Sequence, residues 1–112
     1  MKTGNPASAA TLNESGSTLI LPYLQELVSP LQQAYSNVTL APSGGGSGKG
    51  ISDAAAGTTQ LGGSDAYLSP GQMKQYPDLL NVPIAVSAQA VNYNLPGVTG
   101  LKLSGDVLAK IY

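Results

Sequence analysis

From Leu19 onward the apolar positions Ile20, Leu24, Leu27, Leu31 and Ala34 recur every three or four residues, the spacing of one helix face. Ser17 and Thr18 are suited to cap that helix, and Ser29-Pro30 within it predicts a kink or a restart. Asn37–Ala41 (NVTLA) is short and β-branched, which suits a buried strand. The run from Pro42 to Gly50 (PSGGGSGKG) reads as a loop. A second helix is expected from about Ser47 to Ala56, stopping at Gly57. Gln60–Gly63 is a brief strand candidate, and Leu68-Ser69-Pro70 signals the cap and first turn of a short helix that Tyr76-Pro77 closes.

Between Leu80 and Ala90 the even positions are apolar (Leu80, Val82, Ile84, Val86, Ala88, Ala90), and the pattern then moves to the odd set Val91, Tyr93 and Leu95. Such a change of parity in a strand means a bulge, a bend or a crossing into a new environment. Ser104–Tyr112 reads as the start of an amphipathic helix, with Asp106 in its first turn and Val107, Leu108 and Ile111 on one face. No stop signal follows, so the segment reads as cut. Helices alternating with short strands define an α/β layer fold, in which ligands sit beyond the carboxyl ends of the strands.

Composition narrows the chemistry. Of the 112 residues 42% are hydrophobic and only 10% charged, which excludes wholesale disorder and a solvating charged tail. Met1–Ala10 (MKTGNPASAA) is small and polar and reads as a flexible leader. Five lysines, six carboxylates and no arginine give a net charge of -1, so no basic stripe follows a nucleic-acid backbone. Cysteine and histidine are both absent, which removes the thiolate nucleophile, the disulfide and the commonest general base and metal ligand. Leu19–Leu24 is far too short to span a bilayer. No metal or cofactor site is expected.

Three polar turns each follow a strand candidate, and two of them open helices: Gly16-Ser17-Thr18, Gly46-Ser47-Gly48-Lys49-Gly50 and Ser64-Asp65-Ala66. Helix N-termini leave backbone N–H groups unpaired and carry partial positive charge, so they receive an anion without side-chain cations. Glycines admit a close backbone approach, and hydroxyls add donors. Each turn also has a plainer reading. Ser17, Thr18 and Ser47 serve equally as caps, Asp65 as a turn residue bonding its own backbone, and Lys49 as a solvated side chain. A carboxylate beside an anion is repulsive unless the anion carries a proton to donate. SGGGSGKG departs from the nucleotide-binding loop at two positions, Ser43 in place of the first glycine and Gly50 in place of the magnesium-binding hydroxyl.

In order and spacing, SGSTL, GGGSGKGI, GGSDAYLS, VNYNLPGV and the closing LKLSGDVLAKIY resemble the phosphate-binding protein of phosphate ABC transporters, from about Thr11 to Tyr112. The resemblance implies the first lobe of a type II periplasmic-binding-protein-like fold, three-layered with a mixed sheet and incomplete here. Residues 11–94 would form the first-lobe segment and residues 95–112 the hinge crossing and the start of a second lobe. It also implies that phosphate is held by the Thr18 hydroxyl and backbone, the Leu19 amide, Ser47, and Asp65 accepting the proton of hydrogen phosphate. Ser17, Gly46 and Gly48 are minor candidates.

The family completes its site with an arginine and a serine-glycine-threonine turn later in the chain, and this sequence has neither. Hydrogen bonds to charged groups contribute roughly 1.5–3 kcal/mol each, so without those donors the expected affinity is millimolar, against about 8 kcal/mol for micromolar binding. By the same resemblance the chain is a binding module and not an enzyme. It would act outside the cytoplasm, at the periplasm or cell surface, with inorganic phosphate and a membrane permease as partners. The alternatives are a receptor for another tetrahedral oxyanion, a nucleotide-dependent or phosphate-handling enzyme using the glycine loop, and a non-binding interaction module with open apolar surface.

Overall fold

A computed structural model of the chain describes residues 4–112. Its frame is a three-stranded sheet in the order β2-β1-β3, with β1 at Ala10–Gly16, β2 at Val38–Gly44 and β3 at Leu61–Gly63. Helix α1 (Leu21–Ala34) connects β1 to β2, and α2 (Ser47–Ala55) connects β2 to β3. Each crossover returns the chain in its original direction, so all three strands are parallel. The mixed sheet implied by the resemblance is therefore not seen among the described residues, since neither connection is a hairpin.

The register aligns Gly16 with Gly44 on one side and with Gly63 on the other. All three strands thus end at one level, and each ends on a glycine. The central strand carries little apolar signal: in ATLNESG only Leu12 is a large apolar residue, and Glu14, Ser15 and Gly16 are the buried ones. Ser15 bonds α2 through Asp53, and the Gly62 position faces Ala54. The Gly63 position instead faces Glu14 and Ile20, just ahead of α1. Right-handed crossovers place the two helices on opposite faces in this way.

Helix α1 runs unbroken through Pro30, correcting the expected restart at Ser29. Proline removes one intrahelical bond at a cost of about 3 kcal/mol. The helix tolerates it because buried Leu24 and half-buried Leu27, Val28 and Leu31 anchor turns on both sides. The Ser17 cap also differs from expectation. The N-cap position is Ile20, and the Ser17 hydroxyl accepts from the Leu19 and Ile20 amides at 3.1 and 3.4 Å in the turn ahead of the helix. Helix α2 ends as predicted before Gly57, whose φ of 70° is the left-handed conformation glycine favours. The stretch Pro42–Gly44, expected as loop, extends β2.

Helix α3 (Pro70–Gln75) has a complete capping box between Ser69 and Gln72, and α4 (Gly105–Ile111) is capped by Ser104. The alternating segment from Leu80 to Leu95 forms no strand: Leu80, Val82 and Ile84 share a groove with β3, but the sheet has no fourth strand. Leu80, Val82 and Val86 are exposed there. Among the expected leader residues, Met1–Thr3 lie outside the described residues. Asn5 and Pro6 bond Ser36 and Asn37, and Ala10 opens β1.

The buried apolar core is small, comprising Leu24, Leu40 and Leu68. The radius of gyration is 18.8 Å, against about 13 Å for a compact domain of this length. The chain is thus extended for its length, with Leu80, Val82 and Ile84 bordering a groove at β3 and Ala85, Val86 and Ser87 bordering Ser64 and Asp65. An apolar groove borders β3, lined among others by Leu24, Leu27, Ile51, Ala54, Leu61 and Leu68. No helix among the described residues is long and apolar enough to cross a membrane.

Candidate functional site

Because the three strands end level, the turns that follow them meet at the carboxyl edge of the sheet, where α/β folds of this type take ligands. The Ser17 amide donates to the Gly63 carbonyl at 2.9 Å, and the Gly46 amide to the Gly16 carbonyl at 2.7 Å, which laces the ends of the strands together.

Asp65 is the hub. Its Oδ1 accepts from the Ser17 hydroxyl at 2.5 Å and its Oδ2 from the Ser47 hydroxyl at 3.2 Å. The Asp65 amide in turn donates to Ser47 Oγ at 3.1 Å. The turn around Asp65 is tied by Ser64, whose hydroxyl bonds the Ala66 carbonyl and accepts from the Ala66 amide. Its neighbour therefore performs the local turn role, and the Asp65 carboxylate is free to face the other two turns.

Of the seven residues expected at the site, Ser17, Ser47 and Asp65 are joined directly. Ser17 is buried and holds two amides as well as Asp65, so it braces the site from beneath. Thr18 is exposed in the same turn, and its Cγ2 lies 3.3 Å from where a Cβ on Gly44 would stand. The Leu19 amide is engaged with Ser17 Oγ, and the Gly46 amide with Gly16, so neither is unpaired here. Gly46 instead supplies the turn, with a φ of 88° that side-chain-bearing residues rarely adopt. Gly48 occupies the first turn of α2, and among the described residues no protein acceptor meets the amides of Ser47, Gly48 or Lys49. Those three donors, with the dipole of α2 behind them, face the mouth of the site.

Lys49 is exposed to solvent, as the plainer reading expects, but it is also engaged. Its stem lies over Gly45, and its ammonium pairs with Asp53 one turn along α2. Asp53 Oδ2 also accepts from Ser15 Oγ at 2.7 Å. The Lys49 ammonium foremost, and then the Ser15 hydroxyl, hold the Asp53 carboxyl below its ordinary value of 3.8. This relay ties α2 to the central strand.

Close packing completes the geometry. A Cβ on Gly50 would stand 2.7 Å from the Ser15 carbonyl oxygen and 2.9 Å from Gly16 Cα. Only glycine lets the first turn of α2 rest on the strand ends, which is what brings Ser47 within reach of Asp65.

Sequence reasoning missed Glu14 and the Ser15–Asp53 tie. The alternation that sets Glu14 two residues from Leu12, on one face of β1, was the available signal for the former. Among the described residues there is no cluster of carboxylates of the kind that holds a metal ion.

The fold is thus a parallel α/β sheet whose strand ends gather hydroxyls, one carboxylate and a helix N-terminus, the donor and acceptor set of a polar-ligand site. Residues 2–112 match the PBP superfamily domain, and the chain belongs to that superfamily. It is 37% identical over 107 residues to "Phosphate-binding protein PstS 3" of Mycobacterium tuberculosis, covering 91% of this chain and 29% of the relative. It is 33% identical over 111 residues to "Phosphate-binding protein PstS" of Methanocaldococcus jannaschii, covering 94% of this chain and 28% of the relative. The chain thus spans under a third of the length of these relatives. A crystal structure of a phosphate ABC transporter phosphate-binding protein from Streptococcus pneumoniae is similar in fold, with a TM-score of 0.57 at 22% identity, over 66% of this chain and 29% of that one.

Proposed function

We propose that this chain carries the first-lobe half of a site for hydrogen phosphate, held by hydrogen bonds alone and passed to the permease of an ABC-type importer on the outer side of the membrane. One observation carries the reading: the carboxylate of Asp65 stands among Ser17, Ser47 and the open amides of α2 at the common end of three parallel strands. Hydroxyls and helix amides donate to the unprotonated oxygens of the anion, and an ionised aspartate accepts only from an oxygen that bears a proton. Thr18, at the rim, adds its hydroxyl and amide, and the Leu19 amide joins by sharing its bond to Ser17. Hydrogen phosphate satisfies both demands at neutral pH and sulfate only one. The names of the relatives agree with this choice of anion.

In the same reading residues 95–112 open a second lobe. That segment opens with a turn at Leu95–Val98, closed by a 3.1 Å backbone bond with Gly97 at a φ of 76°, and continues into α4. The second lobe would bring the remaining donors to the anion.

The test is an NMR titration of the chain with inorganic phosphate and, separately, sulfate at millimolar concentrations. Phosphate is expected to shift the amides of Thr18, Ser47 and Gly48 more strongly than sulfate. Asp65→Asn is expected to weaken phosphate by roughly 10- to 100-fold, the worth of one hydrogen bond to a charged group, and to erase the preference over sulfate. A phosphate titration that moves none of these amides refutes the reading.

A further inference from the structure

Glu14 is 3% exposed in the middle strand of the sheet. Its Oε1 accepts from the Gly63 amide at 3.1 Å and its Oε2 from the Ser43 amide at 3.2 Å. Those amides belong to the two flanking strands, so one side chain bridges β3, β1 and β2 at once. The Ser43 hydroxyl adds a second tie, donating to the Glu14 carbonyl at 2.8 Å. Among the described residues the one ion pair is Lys49–Asp53, so amides, not a cation, hold this carboxylate.

Placing a carboxylate away from water is costly, and an apolar side chain would serve sheet stability more cheaply. The geometry around it serves placement. Gly63 accepts from the Ser17 amide and stands two residues before Asp65, and Ser43 stands four before Ser47. A Cβ at Gly63 would collide with Glu14 Oε1, so the glycine admits the carboxylate.

We infer that Glu14 is a positioning residue, a buried carboxylate clamp that sets the spacing of Ser17, Ser47 and Asp65 by holding the amides of Ser43 and Gly63. Its bearing on phosphate rests on the function proposed above, whereas the clamp itself stands on the strand geometry.

Two variants test it. Glu14→Gln replaces one acceptor oxygen by an NH2 that faces an amide donor, and Glu14→Asp keeps the charge but falls a methylene short of spanning both amides. Hydrogen exchange of the Ser43 and Gly63 amides is expected to quicken at least 10-fold at one or both in each variant. Binding of inorganic phosphate is expected to weaken about 10-fold. Leu40→Val, a core change on β2, serves as a control with lowered Tm and is expected to leave phosphate affinity unchanged. Wild-type exchange and affinity in both Glu14 variants would overturn the inference, as would an equal loss of affinity in the Leu40 control. If the wild-type chain takes no phosphate, the functional reading fails by itself, and the exchange arm alone decides the clamp.

Discussion

Replacing Gly50 by alanine puts one of the closest helix-to-sheet contacts of the fold under load. The new methyl would collide with the Gly63 carbonyl oxygen of β3 and stand 2.7 Å from the Ser15 carbonyl oxygen and 2.9 Å from Gly16 Cα, both backbone atoms of the central strand. An ordinary carbon–oxygen approach is about 3.3–3.6 Å, so relieving the Gly63 contact requires α2 to retreat by about 1 Å. Overpacking of this kind costs about 1–3 kcal/mol, and alanine returns about 0.5–1 kcal/mol of helix preference. The net loss of about 1 kcal/mol lowers Tm by about 4–8 °C in a domain near this size. Binding suffers more. The Ser47–Asp65 bonds of 3.2 and 3.1 Å stretch past about 3.5 Å and cease to be hydrogen bonds. Phosphate affinity is then expected to fall roughly 10- to 100-fold. Calorimetry supplies Tm, and NMR titration the affinity. Gly48→Ala, two residues away with nothing within 4 Å of its new Cβ, is the steric control and is expected to raise stability slightly. A Gly50→Ala chain with wild-type Tm and affinity, or one no worse than Gly48→Ala, refutes the packing argument.

Asp53 predicts a pH dependence. Its carboxyl titrates below the ordinary 3.8 because Lys49 and Ser15 bond the ionised form. A folded-state value below the unfolded one adds stability above about pH 4, which is lost as pH falls through the folded value. The Tm difference between wild type and Asp53→Asn is therefore expected to be present at pH 7 and to vanish toward pH 2, and a pH-independent difference counts against the relay. Ser69→Ala removes the acceptor of the Gln72 amide at 3.2 Å and is expected to cost about 1 kcal/mol. In a six-residue helix this should appear as faster exchange of the Met73 and Tyr76 amides, and unchanged protection would show that α3 is held by packing instead.

The helices were legible because their signals are local. Leu24, Leu27 and Leu31 repeat at helical spacing, Ser69-Pro70 and Ser104 mark two starts, and Gly57 marks a stop. The three turns were legible as well, since glycine and hydroxyl residues cluster only where the chain bends or receives something. The segment from Leu80 to Leu95 misled, because alternation records which side chains would share a face and not whether the backbone is hydrogen-bonded into the sheet. Pro30 misled for a related reason, its local penalty being outweighed by burial that lies elsewhere in the fold.

What the chain determines by local order is therefore the kind of element at each place and the stock of donors and acceptors in each turn. That Gly16, Gly44 and Gly63 end at one level, that Glu14 reaches two other strands, and that Ser17 and Ser47 meet on Asp65 were decided only by the tertiary structure. These are contacts between residues some twenty to fifty positions apart. They depend on parallel pairing and on the close seat of α2 at Gly50, and neither leaves a periodic trace in the sequence.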